Sequence, residues 1–323
     1  LAFKKFAFEC LRFETHITLN QIKMENLEYD VVIIGGSYAG LSAGMALGRA
    51  LRKVLIVDSG RPCNIQTPHS HNFLTQDGAT PAAIAQIAMD QVSAYPTVEM
   101  RMGSVLSVEG SNNDFTIHTD LGRNLVAKKV LFATGVRDVM PEIPGLAECW
   151  GISVIHCPYC HGYEVRNQKT GILTNGEAAL DFSQLIDNWT KDLTIFTNGA
   201  ATFSEETRQK IQNLEVTINE KSITAIGHKN GQLEQIAFSD GTTTVLSALY
   251  ARLPFVQHTD IPEKLGCEIS EHGLIKTDEM KRTSVAGVYA AGDNTTMMRA
   301  VSAAVAAGGM AGAMINRDII SGL

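Results

Sequence analysis

Apolar and polar positions along the chain follow a recurring order. The unbroken apolar run Val31 to Ile34 leads into the turn Gly35-Gly36-Ser37-Tyr38-Ala39-Gly40, an alanine-rich helical run from Leu41 to Ala50, and a second apolar run, Val54 to Val57, that ends in Asp58. Short continuous apolar runs suit strands covered on both faces, so this segment predicts strand, turn, helix and parallel strand. Residues 60–78 are polar and broken by Pro62 and Pro68, which predicts a loop, and an alanine-rich helix is expected over 81–95. From 98 to 134 the segments VEMRMGSVLSVEG, DFTIHTD and NLVAKKVLFATG alternate as strands do, and Leu131 to Gly135 reads as a buried strand with small residues at its end. Pro141 and Pro144 mark a linker. Gly171 to Thr174, a helix from about Glu177 to Thr190 and Leu193 to Thr197 then repeat the first plan. A β-rich stretch follows over 215–251, with turns at Lys229-Asn230-Gly231 and Asp240-Gly241. The strand within Gly287 to Asp293 and a helix from about Arg299 complete the chain.

The predicted fold class is therefore α/β, with two Rossmann-like units. In the first, a buried strand, a glycine turn and a helix starting on that turn bring free N–H groups and the positive helix end to one point, which suits a pyrophosphate. Asp58 stands where a ribose-binding acid belongs. An ordinary βαβ unit without ligand is the alternative for these residues alone. The small residues Ala133, Thr134 and Gly135 let a cofactor approach, and Asp293, beside a helix start with Gly292, offers a carboxylate for cofactor hydroxyls.

Composition narrows the function classes. With 323 residues and 45% hydrophobic content the chain can fill two cores. Thirty-four acidic against 27 basic residues give a net charge of −7, and no basic stripe marks a nucleic-acid partner. The charge-free stretch Ala300 to Asn316 is shorter than the ~20 apolar residues of a spanning helix and predicts a buried helix rather than a membrane segment. The first 23 residues, which begin without methionine, are expected to be upstream translated sequence with the natural start near Met24, so 1–27 forms an extension. Six cysteines are too sparse for a disulfide scaffold, which fits a reducing cytoplasm with one working dithiol.

That dithiol lies in His156-Cys157-Pro158-Tyr159-Cys160-His161-Gly162-Tyr163-Glu164. A thiol of pKa near 8.5 is little ionised at neutrality, and His161, with an ordinary pKa of about 6.5, is the candidate base. His156 is a weaker candidate, equally suited to a structural hydrogen bond. A zinc site is the rival reading of two Cys and two His, but the spacing is not that of a finger and no second ligand pair follows, so the metal expectation is none. For His69 and His71 a solvated loop is preferred, and Cys63 is expected to be a small buried residue.

Taken together, GGSYAG with Asp58, the triplet Ala133 to Gly135, the CxxC and GVYAAGD occur in an order that resembles the low-molecular-weight thioredoxin reductases and related flavin disulfide oxidoreductases, over Glu28 to Ile320. The resemblance implies FAD as cofactor in a discontinuous first domain, 28–138 with 257–323, and a central domain over 139–256. It implies that Cys160 lies next to the flavin and Cys157 meets the substrate. It further implies that Asp293 binds the ribityl chain, that N–H groups around Arg299, Ala300 and Val301 face the flavin's pyrimidine end, and that the protein is a homodimer.

The departures from the family pattern carry as much weight. The second glycine turn reads Thr174-Asn175-Gly176-Glu177-Ala178-Ala179, with a carboxylate near the phosphate position, and no Lys or Arg lies between Lys191 and Arg208. A 2′-phosphate would lack its best partners there. The string CPYCHGYE, with His161 where reductases place an acid, is closer to the gliotoxin- and holomycin-type dithiol oxidases that lack an NADPH site. The expected activity is electron exchange between a small dithiol or a thioredoxin-like protein and FAD, with dioxygen, ferredoxin or another electron partner. An NADPH-dependent thioredoxin reductase and a non-catalytic flavin redox sensor are the alternatives.

Overall fold

The computed structural model describes residues 27–323 apart from Arg123, so the expected extension and the start near Met24 lie outside the described residues. In chain order the elements are β1 (Leu27–Ile34), α1 (Tyr38–Arg49), β2 (Val54–Asp58), α2 (Pro81–Ser93), β3 (Val98–Met102), β4 (Val105–Ser111), β5 (Asp114–Thr119), β6 (Asn124–Phe132) and β7 (Val136–Asp138). There follow α3 (Leu146–Cys149), β8 (Val154–Ile155), α4 (Pro158–His161), β9 (Thr170–Leu173), α5 (Ala178–Ile186), β10 (Leu193–Phe196), α6 (Glu205–Asn213) and β11 (Thr217–Asn219). The remainder comprises β12 (Ile223–Lys229), β13 (Gln232–Phe238), β14 (Thr243–Val245), β15 (Ala248–Ala251), β16 (Phe255–Gln257), α7 (Ile261–Lys264), β17 (Val288–Ala290) and α8 (Val301–Ser321).

The α/β architecture expected from the apolar runs is present. A first sheet runs β3-β2-β1-β6-β5-β4, with β17 also pairing with β6; β3, β2, β1, β6 and β17 are parallel, and β4 and β5 attach antiparallel. Because strand side chains alternate, β1 serves two cores at once. Val32 and Ile34 pack with Leu55, Val57, Phe115 and Phe132 on one face, and Val31 and Ile33 pack with Ile56, Leu131 and Ile315 on the other. Each such fully buried side chain contributes about 1.5–3 kcal/mol.

The small residues of α8 are explained by its seat on α1. A Cβ added at Gly308 would lie 2.0 Å from the Ala39 carbonyl oxygen, and one at Gly312 would lie 2.7 Å from that of Ala43. The Ser42 hydroxyl donates to the Val305 carbonyl at 2.7 Å across the same contact. Among the described residues no helix is long and apolar enough to cross a membrane.

The second parallel sheet runs β11-β10-β9-β15-β8, and β12-β13-β14 form a separate antiparallel layer. The chain leaves the first sheet along β7 and returns along β16, and these two strands pair antiparallel.

Several expectations are corrected. The segment 98–110 is not one strand: it breaks at Gly103, whose φ of +159° lies at the edge of the glycine-favoured range, and β3 and β4 end on opposite edges of the sheet. The predicted strand to Gly135 stops at Phe132. The helix expected to reach Thr190 ends at Ile186, where Asn188, Trp189 and Thr190, all weak helix formers, make a turn instead. Helix α6, begun by the Ser204 cap on Thr207 N, was not expected. The dithiol lies within the second unit, since β8 comes before it and pairs in the same sheet.

Candidate active site

A cleft opens where α1, α8, the 60–78 loop and α4 meet. One wall is the start of α1, with Ser37, Tyr38 and Ala39, together with Ala133. No side chain caps α1. The turn beneath it demands glycine: Gly35 has φ +106° and a Cβ there would meet the Ala133 carbonyl at 2.3 Å, while a Cβ on Gly40 would fall 1.9 Å from the Gly35 carbonyl. The Asp58 carboxylate accepts from Gly36 N at 2.9 Å and Gly60 N at 3.2 Å, bracing the turn.

A second wall comes from the far end of the chain, with Gly292, Asp293, Arg299, Ala300, Val301 and Ala304. Arg299 makes a two-point contact with Asp138, Nη1 to Oδ1 at 2.6 Å and Nη2 to Oδ2 at 3.1 Å, and the pair is 12% and 6% exposed. Such a planar, charge-assisted pair holds the guanidinium in one orientation. Its Nε stands 3.8 Å from Asp293 Oδ2 and has no hydrogen-bond partner among the described residues. Burial raises the Asp293 carboxyl, with Arg299 opposing and Asp138 adding to the shift. Trp150 Nε1 donates to Asp138 at 3.1 Å, and Gln66 Nε2 donates to the Trp150 carbonyl.

The third wall carries the sulfur chemistry. Cys157 and Cys160 are joined as a disulfide, Cys157 caps α4 by accepting from Cys160 N at 3.2 Å, and Cys160 with His161 faces the cleft. His156 stacks on Trp150 with ring centroids 5.9 Å apart, and its Nε2 is buried without a partner among the described residues. Burial, then the Arg299 charge, lowers its pKa to about 4 against the pull of Asp138, so the ring is neutral at pH 7. His161 is lowered as well, by burial first and the His71 charge next, while Glu164 opposes.

Of the residues expected from the sequence, the structure brings Ser37, Tyr38, Ala39, Ala133, Gly292, Asp293, Arg299, Ala300, Val301, Cys160 and His161 to one cleft. Gly35, Gly40, Asp58, Thr134, Gly135 and Cys157 are not on its walls; Gly35, Gly40 and Asp58 shape the turn from behind, and Thr134 accepts from Asn294 Nδ2 at 3.3 Å. The backbone N–H of Arg299 donates to the Met297 carbonyl at 3.1 Å, and Arg299 lines the cleft. Cys63 is exposed rather than buried, its Sγ 3.9 Å from Asp293 Oδ2. His71 is on the wall, not merely in a solvated loop, and Asp138 and Trp150 were not foreseen. The partner of Asp138 is 161 residues away, and no local pattern announces such a pair.

The second glycine turn has a different fate. Asn175 Nδ2 donates to the carbonyls of Thr197 at 3.3 Å and Ala200 at 3.0 Å, and its Oδ1 accepts from Gly176 N at 2.9 Å and Thr202 N at 2.8 Å. Glu177 accepts from Ser204 N at 2.6 Å and Thr207 Oγ1 at 2.5 Å, which lowers its pKa and keeps it ionised at neutrality. Arg208 is 2.8 Å from Glu220 and 3.6 Å from Glu205. The 197–202 loop is thus drawn onto the turn, and the nearest arginine is already paired.

Comparison with known proteins matches residues 29–308 to the family described as pyridine nucleotide-disulphide oxidoreductase. The chain is similar to thioredoxin reductase sirT of Leptosphaeria maculans, 34% identical over 307 residues covering 89% of this chain and 93% of that protein. It is also similar to thioredoxin reductase tcpT of Claviceps purpurea, 32% identical over 91% of this chain and 95% of the relative. Among solved structures, an oxidoreductase from Agrobacterium tumefaciens superposes with a TM-score of 0.85 at 38% identity, covering 91% of this chain and 99% of that one.

Proposed function

The chain belongs to the pyridine nucleotide-disulphide oxidoreductase family, in its thioredoxin reductase-like branch, and from that premise we propose that it oxidises a dithiol through Cys157 and Cys160 without using NADPH. It is an FAD-dependent disulfide oxidoreductase. The cleft fits the cofactor: an uncapped helix start for the pyrophosphate, close backbone approach at Gly292, and the unpartnered Arg299 Nε for a ring or ribityl polar atom. Ser37, Tyr38, Ala39, Ala133, Asp293, Ala300 and Val301 would hold FAD, with 28–138 and 257–323 as its domain and 139–256 as the domain of the dithiol. When bound, FAD supplies a two-electron acceptor for a thiolate.

The chain's own residues account for the sulfur steps. A substrate thiolate attacks Cys157, forming a mixed disulfide and releasing Cys160 as a thiolate. The second substrate thiol then displaces Cys157, which leaves as a thiol, and the substrate departs with its own disulfide closed. His161, next to Cys160 on the cleft and with its pKa lowered by burial, takes the proton of the attacking thiol.

The observation that carries the NADPH-free reading is the Asn175 and Glu177 hydrogen-bond set, which closes the second turn and puts a carboxylate at its helix start. The substrate is a small dithiol or a thioredoxin-like protein, the electrons pass on to dioxygen or another acceptor, and the protein works as a cytoplasmic homodimer. The test is an anaerobic titration in which reduced dithiol, NADPH, NADH and reduced ferredoxin are added in parallel and flavin absorbance is followed. Dithiol is expected to bleach the flavin and NADPH to leave it oxidised. Bleaching by micromolar NADPH would overturn the reading and favour an NADPH-dependent reductase.

A further inference from the structure

The exchange just described must dispose of a proton. A dithiol carrying two S–H groups opens the Cys157–Cys160 disulfide to give the substrate disulfide, one Cys157 thiol, one Cys160 thiolate and one free proton. His161 is placed to accept it, but that imidazole is largely buried and must be emptied before the next turnover.

A path outward is present. His71, from the 60–78 loop of the first sheet, and His161, from α4 of the second, stand on the same cleft with Cys160. Nε2 of His71 lies 3.5 Å from Glu164 Oε1, and Nδ1 lies 3.7 Å from Asp77 Oδ1. Exposure rises along the series, from 21% for the His71 side chain to 42% for Glu164 and 67% for Asp77. Asp77 is itself fixed, since its Oδ1 accepts from Asn72 N at 2.7 Å. A carboxylate thus stands near each ring nitrogen of His71, one on the cleft side and one toward solvent.

We propose that His71 is a positioning residue of the dithiol site, relaying through Glu164 and Asp77 to solvent the proton that the disulfide exchange delivers to His161. The proposal rests on the dithiol reading above. The charged and titratable groups that bear on the pair are Glu164, Asp77 and His161 on His71, with His69 at 6.3 Å between ring centroids, and His71, Glu164 and His156 on His161. The like charge of a protonated His71 disfavours protonation of His161, and Glu164 favours it. An unrelayed proton would therefore leave His161 occupied longest at low pH.

The experiment uses the flavin-loaded protein and dithiothreitol as the probe, with iodoacetamide quenching and mass spectrometry of the Cys157 and Cys160 thiols from pH 5.5 to 9. This reads the opening of the disulfide directly, independent of flavin turnover. His71→Asn is expected to slow opening about tenfold below pH 7, to move the acid limb of the profile upward, and to be restored by added imidazole. Glu164→Gln should slow opening by a smaller factor while moving the limb the other way, downward, because Glu164 favours protonation of His161. His71→Gln, with retained flavin fluorescence as the check on folding, stands in if His71→Asn does not fold. Equal rates for wild type and variant across the range would overturn the relay alone, as would a slowed variant that imidazole does not restore. A wild-type disulfide that dithiothreitol does not open would sink the dithiol reading itself.

Discussion

Two turns of the molecule begin from the same plan and end in opposite states. At Gly35 to Gly40 a parallel strand passes into a helix whose start faces a cleft, and the Asp58 carboxylate is turned behind to hold the Gly36 and Gly60 N–H groups. At Thr174 to Ala179 the strand again passes into a helix, but Asn175 gathers the 197–202 loop over the turn and Glu177 caps a neighbouring helix. The lesson is that a βαβ turn binds a phosphate only while its donors and the space above them are left unused. In the second unit side chains of the protein occupy both while the fold persists. What the second unit contributes instead is the segment from His156 to Glu164, laid against the cleft of the first.

The comparison breaks most completely at Gly40. A methyl group there would lie 1.9 Å from a backbone carbonyl rather than a flexible side chain, so the turn must part, at a cost of about 3 kcal/mol or more. Gly40→Ala is expected to purify without flavin, which absorbance near 450 nm would show, whereas Gly176→Ala, with no atom nearer than 3.9 Å, should keep it in spite of the φ of +83°. Flavin retained by Gly40→Ala would mean that the first turn is not the cofactor's seat.

The next effect separates what each unit does. His161→Gln leaves the first turn untouched but removes the group that accepts the thiol proton, and dithiol-driven bleaching should fall about a hundredfold with FAD still bound. Because the His161 pKa is lowered by burial, the wild-type rate should rise with pH along a limb lying below the ordinary imidazole range, and the variant should lack that limb. A stopped-flow profile with an unchanged limb would take the base role from His161.

Much of this was legible in the residues because it depends on local rules. Continuous apolar runs gave the parallel strands, glycines gave the first turn, and the charge-free stretch of α8 announced a buried helix. The missing arginines made a poor second nucleotide site the expectation. The sequence did not reveal how that site is closed, because Asn175 reaches Thr202 and Glu177 reaches Thr207 through contacts that arise only on folding. The Asp138 and Arg299 pair and the approach of His71 to Glu164 were hidden for the same reason. Helix α6 was missed since its single buried apolar residue, Ile211, leaves almost no periodic signal.

His156 sharpens the comparison where the two units touch. It belongs to the second, yet its ring feels Arg299 and Asp138 from the first and cannot ionise easily. Its pKa of about 4 in the fold lies below its ordinary 6.5, so the unfolded chain binds more protons between those values. Stability from the neutral ring is complete above about pH 6.5 and is lost as pH falls toward 4. The ceiling set by the shift is reduced by partial exposure of the ring to about 2 kcal/mol. Urea unfolding at pH 7.5 and pH 4.5 should show the wild type losing that much more than His156→Gln. Equal losses would place His156 outside the electrostatics of the joint.

The smallest effect concerns the closed turn itself. Glu177→Ala removes the acceptor of Ser204 N and Thr207 Oγ1 and uncovers the start of α5, yet it supplies no cation and leaves Asn175 holding the loop. The melting temperature should drop by a few degrees through the lost cap on α6. Flavin content and dithiol-driven bleaching should stay unchanged, and NADPH should still fail to reduce the flavin. If this one substitution admitted NADPH, closure of the turn would rest on the carboxylate alone; if it did not, the Asn175 clasp and the absent basic residues are jointly responsible, and only their combined reversal would reopen the second unit.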